Sequence, residues 1–503
     1  MEIHFFQAQV YTFEYEPAKL EDLRVVVGVD FGTTFSGFSY AYIQDNKAKT
    51  EIVVNEEWGN FKSTNKTNTV LQYDENNGVV TWGADVLSSE PSRRKKFNNK
   101  LPRPVEYFKF YLGDVPESKK PKLPSGITFE KAITDYLRQM GIDFTMIEKI
   151  ENHWPGINFY NNVRLVFTVP AEFNENSKTI MRRCIYNAGL IQSIGTLNLQ
   201  FTTEPEAAAI HCMNRLKELK LTTGAKYLVV DCGGGTVDLI VRELLADNRL
   251  AETTVRTGDF CGGTYVDDEF LKFLERRKKC PAIKQYVTGS EREQLSEVDE
   301  WVIDLDFDTV KSFFDPLEVS VNQKYLQYRI KEKFGKVLEV AIPPSPAAAI
   351  VKGACEYGLD MKTVTTRVLK WTYGVEVSKI WETGDPPSRK THDGRIHKFL
   401  LLARKGTEVD VDEEFSESMI PIYPNQTSIL FKFFYTTKYN ATFCDEPEMK
   451  SLGNFEVDLP DTHLGLNRFV LISLCFASME STVATAKNEI NGKVYRTTFS
   501  TKC

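Results

Sequence analysis

The sequence contains no apolar run long enough to cross a bilayer, so we expect no membrane partner. It opens with "MEIHFFQAQVYTFEYEPAKLEDLR", which lacks the basic start and apolar core of a secretory signal, and we interpret residues 1–24 as an N-terminal extension. The nine cysteines show no paired spacing, which argues against a disulfide framework or a zinc site. These absences predict a cytoplasmic protein with reduced thiols.

An excess of positive charge is also absent, because 62 lysines and arginines stand against 69 aspartates and glutamates. No nucleic-acid partner is therefore expected, and we interpret the basic run "RRKKFNNK" at residues 93–100 as a solvated loop. No internal repeat or low-complexity tract indicates a solenoid or a disordered tail. The chain of 503 residues, 42% hydrophobic and 26% charged, is long enough for two or three domains with their own cores.

The strongest positive signal is a pair of glycine-containing turns. In "VVVGVDFGTTFSGFSY" (Val25 to Tyr40) a β-branched segment leads into Asp30, a glycine and two threonines before the sequence becomes apolar again. The segment "YLVVDCGGGTVDLIV" (Tyr227 to Val241) repeats this order around Asp231. Such turns present backbone N–H groups and hydroxyls to phosphate oxygens, and aspartates supply the hard oxygen ligands that magnesium prefers. The pair predicts two related lobes facing one polyphosphate; glycines that merely shape two hairpins are the structural alternative.

Five motifs carry a resemblance to a known family. "DFGTT", "TVPAEFNE", "TEPEAAAI", "DCGGGTVD" and "GDFCGGTYVDDEF" occur in the order seen in the seventy-kilodalton heat-shock chaperones, and the chain resembles a divergent member. The resemblance implies an α/β fold: an actin-like, two-lobed ATPase domain with ribonuclease H-like halves over residues 25–366, followed by a C-terminal antiparallel β-sandwich over residues 367–503. It implies ATP or ADP with Mg²⁺ as cofactors, and slow ATP hydrolysis coupled to binding of unfolded or extended polypeptide. It also implies co-chaperones and nucleotide exchange factors as candidate partners.

The same resemblance implies roles for individual residues. The catalytic residues are expected to be Lys109, which orients the attacking water, Glu204, which organises magnesium and water with Pro170, and Asp231. Asp30 and Asp231 are expected to hold magnesium through water. The expected nucleotide-binding residues are Asp30, Gly32, Thr33, Thr34, Gly233, Gly234, Gly235, Thr236, Gly262 and Gly263, with Asp238 completing the second turn. The alternatives are an ordinary surface lysine at 109 and a helix-capping glutamate at 204.

The chain also departs from the family. After Trp301 it offers no strand ending in paired glycines, the segment that forms the adenosine wall in the family, and we expect an internal deletion near residues 314–322. Either the protein is a degenerate ATPase that binds nucleotide weakly or not at all, or the predicted gene structure has skipped coding sequence. We also expect no helical lid, and "TTRVLKWTYG" stands where the family has an acidic, leucine-rich interdomain linker.

The C-terminal segments alternate between apolar and polar residues. "TYGVEVSKIW", "SILFKFFYTT", "GNFEVDL", "RFVLISLCFA" and "KVYRTTFS" predict the strands of the antiparallel sandwich. No peptide-binding residue is assigned, because each apolar residue here is most simply explained as core. Three function classes stay open: an ATP-dependent chaperone, a non-hydrolysing nucleotide-sensing or interaction protein, and a metabolite kinase, which the predicted sandwich and "EPEAAAI" disfavour.

Overall fold

The computed structural model describes residues 22–43, 50–88, 103–141, 146–218, 221–254, 257–267, 269, 342–343, 345–411, 413–476 and 482–499. Three interpretations made from the sequence lie wholly or almost wholly outside these residues: the N-terminal extension, the basic run at 93–100 and the deletion near 314–322. Every helix within the described ranges is too short or too polar to cross a membrane.

The N-terminal region alternates short strands with helices. Its strands are β1 Val25–Phe31, β2 Phe35–Tyr42, β3 Val53–Val54, β4 Glu57–Trp58, β5 Phe61–Lys62, β6 Thr67–Asn68, β7 Val70–Tyr73, β8 Val79–Trp82, β9 Val105–Glu106, β10 Val163–Val169 and β11 Leu199–Thr203. Its helices are α1 Ala84–Ser88, α2 Phe129–Gly141, α3 Met146–His153, α4 Phe159–Asn162, α5 Glu175–Asn187 and α6 Glu204–Glu218.

The first large sheet has the order β11-β10-β1-β2-β3, with β6 also paired to β2. Strand β1 runs parallel to β10 and antiparallel to β2, and it is buried along its whole length. Its residues alternate between two cores: Val27 packs in the cluster that contains α2 and α5, and Val26 packs in the cluster that contains α6. The sheet is therefore covered on both faces, which explains why β1 reads as a nearly continuous apolar run.

A second sheet follows. Its elements are β12 Lys226–Cys232, β13 Val237–Leu244, β14 Leu250–Glu252, β15 Thr257–Asp259, helix α7 Ala349–Leu359 and β16 Val364–Val368. The order is β12-β13-β14-β16-β19, with β15 also paired to β13, and β19 is the C-terminal strand Glu408–Asp410. The domain boundary expected between residues 366 and 367 thus falls inside β16, a strand that also pairs with a segment from beyond it.

Helix α7 packs directly on β1 of the first sheet, and Ala354 of this helix shares a buried cluster with Val26 of β1 and Val229 of β12 in the second sheet. A Cβ added to Gly28 would lie 2.5 Å from the carbonyl oxygen of Val351 and 2.6 Å from the backbone nitrogen of Cys355. Only glycine at position 28 permits this approach of helix and strand. The Ser39 hydroxyl also donates to the Val351 carbonyl at 2.8 Å, so the same helix is tied to β2.

The C-terminal region contains two four-stranded antiparallel sheets, ordered β18-β17-β21-β22 and β20-β23-β24-β25. The strands are β17 Thr372–Ile380, β18 Arg395–Ala403, β20 Glu414–Met419, β21 Ser428–Thr436, β22 Lys450–Asp458, β23 Val470–Cys475, β24 Thr482–Asn488 and β25 Val494–Phe499. All five segments predicted as strands are confirmed. Inward residues of both sheets, such as Phe433 and Ile472, share one buried cluster.

Candidate functional site

The two glycine turns predicted from the sequence lie against each other. Each connects antiparallel strands, β1 to β2 and β12 to β13, as expected. A Cβ added to Gly234 would overlap the Thr34 side chain, and one added to Gly235 would lie 2.6 Å from Oγ1 of Thr33. Glycines in the second turn therefore allow it to approach the threonines of the first turn this closely.

Together the turns line a pocket of about 420 Å³. The predicted residues that line it are Asp30, Gly32, Thr33, Thr34, Lys109, Glu204, Asp231, Gly233, Gly234, Gly235 and Thr236. The structure adds Phe35, Asn65, Lys66, Cys232, Ala347 and Ile350. Residues from six separate parts of the sequence thus meet at one place, whereas the roles expected for the individual residues stay predictions.

Gly262 and Gly263 lie behind the second turn. The Gly263 N–H donates to the Gly233 carbonyl at 3.1 Å, and the Thr264 N–H donates to the Gly234 carbonyl at 2.9 Å. The strand β15 ends before Gly262 and residues 263–267 are helical, as the sequence predicts. Their position supports the turn from outside the pocket rather than within its described lining.

Thr69 braces the first turn from the neighbouring segment. Its hydroxyl donates to the Gly32 carbonyl at 2.9 Å, and its N–H donates to the Thr34 carbonyl at 2.8 Å. A further hydroxyl bond of 2.8 Å joins Thr69 to Ser36. The turn is therefore held in one conformation by groups that lie outside the glycine motif.

Lys109 and Glu204 form an ion pair of 2.7 Å inside the pocket wall. Lys109 is buried in a short 3-10 helix, Phe108–Leu112, with its ammonium 5.8 Å from the centre of the Phe173 ring. The alternative of an ordinary surface lysine is therefore wrong. Glu204 opens α6, but the first-turn N–H of Glu206 is bound by the Thr203 hydroxyl at 3.3 Å, and the Glu204 side chain is directed to Lys109 instead.

Three acids form a cluster beside this pair. Carboxylate oxygens of Glu204, Asp231 and Asp238 all lie within 4.8 Å of one another. Burial, followed by the neighbouring Glu204 charge, raises the pKa of Asp238 to about 7 and raises that of Asp231 well above its usual value. Both Asp238 oxygens are buried without a hydrogen-bond partner among the described residues. Such crowded acids fit a divalent cation, because the cation removes their mutual repulsion and supplies the missing electrostatic partner.

Asp30 has a different partner. Its carboxylate is bound by Lys66 Nζ at 2.5 Å, and the Thr168 hydroxyl lies 3.4 Å from its other oxygen. Burial alone would lower the pKa of Lys66, but the Asp30 charge, with smaller effects of Asp231 and Glu204, raises it, so the ammonium stays charged. The sequence predicts that Asp30 and Asp231 hold magnesium together, and this stays a prediction. Of the two, only Asp231 belongs to the acid cluster found among the described residues.

Sequence reasoning did not identify Lys66. It lies in "STNKTNT", residues 63–69, a polar segment without a glycine motif or a marked apolar period. Its position depends on pairing between β6 and β2, in which Thr67 faces Ser36. Since this register is a tertiary property, the local sequence offered no direct signal for the contact with Asp30.

No protein-family model matches the chain. Three relatives are similar over most of its length: heat shock 70 kDa protein 12A from Mus musculus is 25% identical over 86% of this chain and 85% of its own. The Homo sapiens protein of that name is 24% identical over 88% of this chain and 86% of its own. Human heat shock 70 kDa protein 12B is 21% identical over 88% of this chain and 84% of its own. The first alignment spans 597 positions, more than the 503 residues of this chain, so it contains gaps opposite this chain.

The names of these relatives agree with the family resemblance drawn from the five motifs. The mixed α/β structure fits an actin-like ATPase fold. The chain is therefore a divergent relative of the heat shock 70 kDa proteins, as the motifs indicated.

Proposed function

We propose that this protein is an ATP-binding, chaperone-like protein that couples slow ATP hydrolysis to binding of unfolded polypeptide. The observation that carries the proposal is the pocket in which both glycine turns meet beside the buried pair of Lys109 and Glu204. Each turn belongs to a different sheet, which supports a two-lobed, actin-like arrangement with the nucleotide between the lobes.

The pocket offers the groups that phosphate transfer to water requires. Backbone N–H groups of the turns and the hydroxyls of Thr33, Thr34 and Thr236 are suited to phosphate oxygens. Asp231, with Glu204 and Asp238 beside it, would hold magnesium, which neutralises phosphate charge when bound. The Lys109 ammonium would orient the attacking water and stabilise the charge that develops on the γ-phosphate.

We assign polypeptide binding to the C-terminal sheets, which share one core in the manner of a β-sandwich. Apolar side chains are exposed near one end of this region, and we name them the loop-end patch: Ile420, Ile422, Tyr423, Leu466, Phe469 and Ile490. The loops that carry them are adjacent, because the Glu489 N–H donates to the Phe469 carbonyl at 2.9 Å and Gly465 lies against Pro424. Exposed apolar groups at the end of the edge strand β20 and in the loops next to it suit an extended, apolar polypeptide.

A second candidate function is a non-hydrolysing nucleotide-sensing or interaction protein. One observation favours it: β12 ends the strand order of the second sheet, and Leu228 and Val230 on this strand are 54% and 41% exposed. No strand is paired to the outer side of β12 within the described residues. In the first sheet, β1 pairs with β2 on one side and with β10 on the other. A strand matching β10 is not paired to β12 within the described residues, so nucleotide positioning would be incomplete. A metabolite kinase is disfavoured by the two C-terminal sheets.

Two measurements on the purified chain separate these functions: calorimetric titration with ATP and ADP, each with magnesium, and the rate at which inorganic phosphate is released from ATP. The proposal predicts micromolar binding and slow release of inorganic phosphate, accelerated by a permanently unfolded protein. Binding without hydrolysis, or no binding, would support the sensing or interaction protein instead. Turnover that depends on an added sugar or other small metabolite would support the kinase.

A further inference from the structure

The Lys66 side chain lies against the first glycine turn and is largely buried. Its ammonium contacts Asp30 at 2.5 Å and its side chain is 19% exposed, against 3% for Asp30. It lines the same pocket as Thr33 and Thr34. The segment is fixed directly after Lys66, by the pairing of Thr67 with Ser36 and by the bonds that Thr69 makes to the turn.

Gly37 provides the path by which Lys66 reaches Asp30. Gly37 is the register partner of Asp30 across β1 and β2. A Cβ on Gly37 would lie 3.0 Å from Cγ of Lys66 and 2.7 Å from the carbonyl oxygen of Asn65. The missing side chain therefore leaves room for the lysine stem to cross β2. Strand register and glycine placement together aim this ammonium at the turn.

The charges around the pocket suggest a role for Lys66. Among the described residues of the site, two lysines, Lys66 and Lys109, face four acids: Asp30, Glu204, Asp231 and Asp238. Lys109 is already bound to Glu204. A polyphosphate entering this pocket needs positive charge on the side of the first turn. An ammonium has three donors, and the bond to Asp30 uses one, so the others are available to phosphate oxygens.

We propose that Lys66 is a phosphate-binding residue of the first turn, held in place by Asp30, and that it supplies there the positive charge a bound cation would otherwise supply. The ligand class is a polyphosphate, either free or as part of a nucleotide. Asp30 then acts as a positioning residue for Lys66, and the cation site lies on the other side of the pocket at Asp231. This inference rests on the proposed function only in using the same pocket.

The test measures binding of inorganic tripolyphosphate and of ATP by calorimetry, with magnesium and with a chelator. Lys66→Met keeps the aliphatic stem and removes the charge, and we expect about 10- to 100-fold weaker binding of both ligands, with a smaller dependence on salt. The matched control is Lys226→Met, which removes a lysine that is 62% exposed and lies at the start of β12. Its affinities should equal those of the wild type.

The double variant Lys66→Met with Asp30→Asn guards against misfolding, because it removes both partners and leaves no unpaired buried charge. We expect it to bind as weakly as Lys66→Met. Wild-type affinity in a folded Lys66→Met or double variant would overturn the inference alone. Lys66-dependent binding of tripolyphosphate without any binding of ATP would support the inference and defeat the proposed function. Failure of the wild type to bind either ligand would overturn both.

Discussion

Lys370 Nζ lies 2.6 Å from Oε2 of Glu172, and this ion pair joins the segment entering the C-terminal sheets to the loop that follows β10. The loop also contains Pro170 and Phe173, and the Phe173 ring lies 5.8 Å from the Lys109 ammonium. A short chain of contacts thus runs from the pocket wall to the start of β17.

We expect Lys370→Met to weaken the effect of ATP on polypeptide release while leaving ATP affinity within about 2-fold of the wild type. Both partners are partly exposed, so the loss of stability should be at most about 1 kcal/mol. The measurement is the dissociation rate of a labelled, permanently unfolded protein with ATP and with ADP. Lys432→Met is the matched control, since its 2.9 Å pair with Glu376 lies within one C-terminal sheet. If ATP changed the dissociation rate equally in Lys370→Met and Lys432→Met, a coupling role for Lys370 would be contradicted.

Asp231→Asn should weaken binding of magnesium nucleotide by about 1–3 kcal/mol, because it removes one charge of the acid cluster that would face the cation. Calorimetry with and without magnesium measures this change. The loss should largely disappear in chelator, where the cation is absent. Asp458→Asn, at a side chain that is 71% exposed, is the control. Unchanged affinity in Asp231→Asn would remove the cleft assignment.

Lys109→Met should slow a single turnover of ATP by about 100- to 1000-fold, as for loss of one group that stabilises charge in a transition state. Nucleotide affinity should change much less, because the phosphate turns remain. The single variant leaves the buried Glu204 carboxylate without its lysine partner. The double variant Lys109→Met with Glu204→Gln should therefore be measured in parallel. A Lys109→Met variant that hydrolyses ATP at the wild-type rate would exclude Lys109 from the reaction.

The pH dependence of stability should reveal the Asp238 carboxyl. Because burial raises its pKa to about 7 in the folded protein, the folded state binds the extra proton between about pH 4 and pH 7. The contribution of Asp238 to the free energy of unfolding therefore falls as pH rises through this range. In metal-free buffer, Asp238→Asn should be more stable than the wild type at pH 8, and this advantage should shrink at pH 5. Thermal unfolding at both pH values measures it; an equal difference at the two would contradict the shift.

The sequence was most informative where function depends on short, contiguous motifs. Both glycine turns, the strand before Glu204 and the helix after it could be predicted because local patterns determine them. Lys66 and the burial of Lys109 could not, since each depends on contacts between segments far apart in the chain. The pairing of β19 with β16 across the expected domain boundary was missed for the same reason: a three-residue strand has no distinct pattern of its own.

The most direct test of the account is hydrogen exchange of the full chain with and without ATP and magnesium, followed by mass spectrometry of peptides. The account predicts slower exchange in both turns at once, in peptides covering residues 30–36 and 231–238, because their N–H groups would bind one polyphosphate. Peptides of the C-terminal sheet cores should serve as internal references. Saturating nucleotide that protects neither turn, or only one of them, would contradict a site formed between the two.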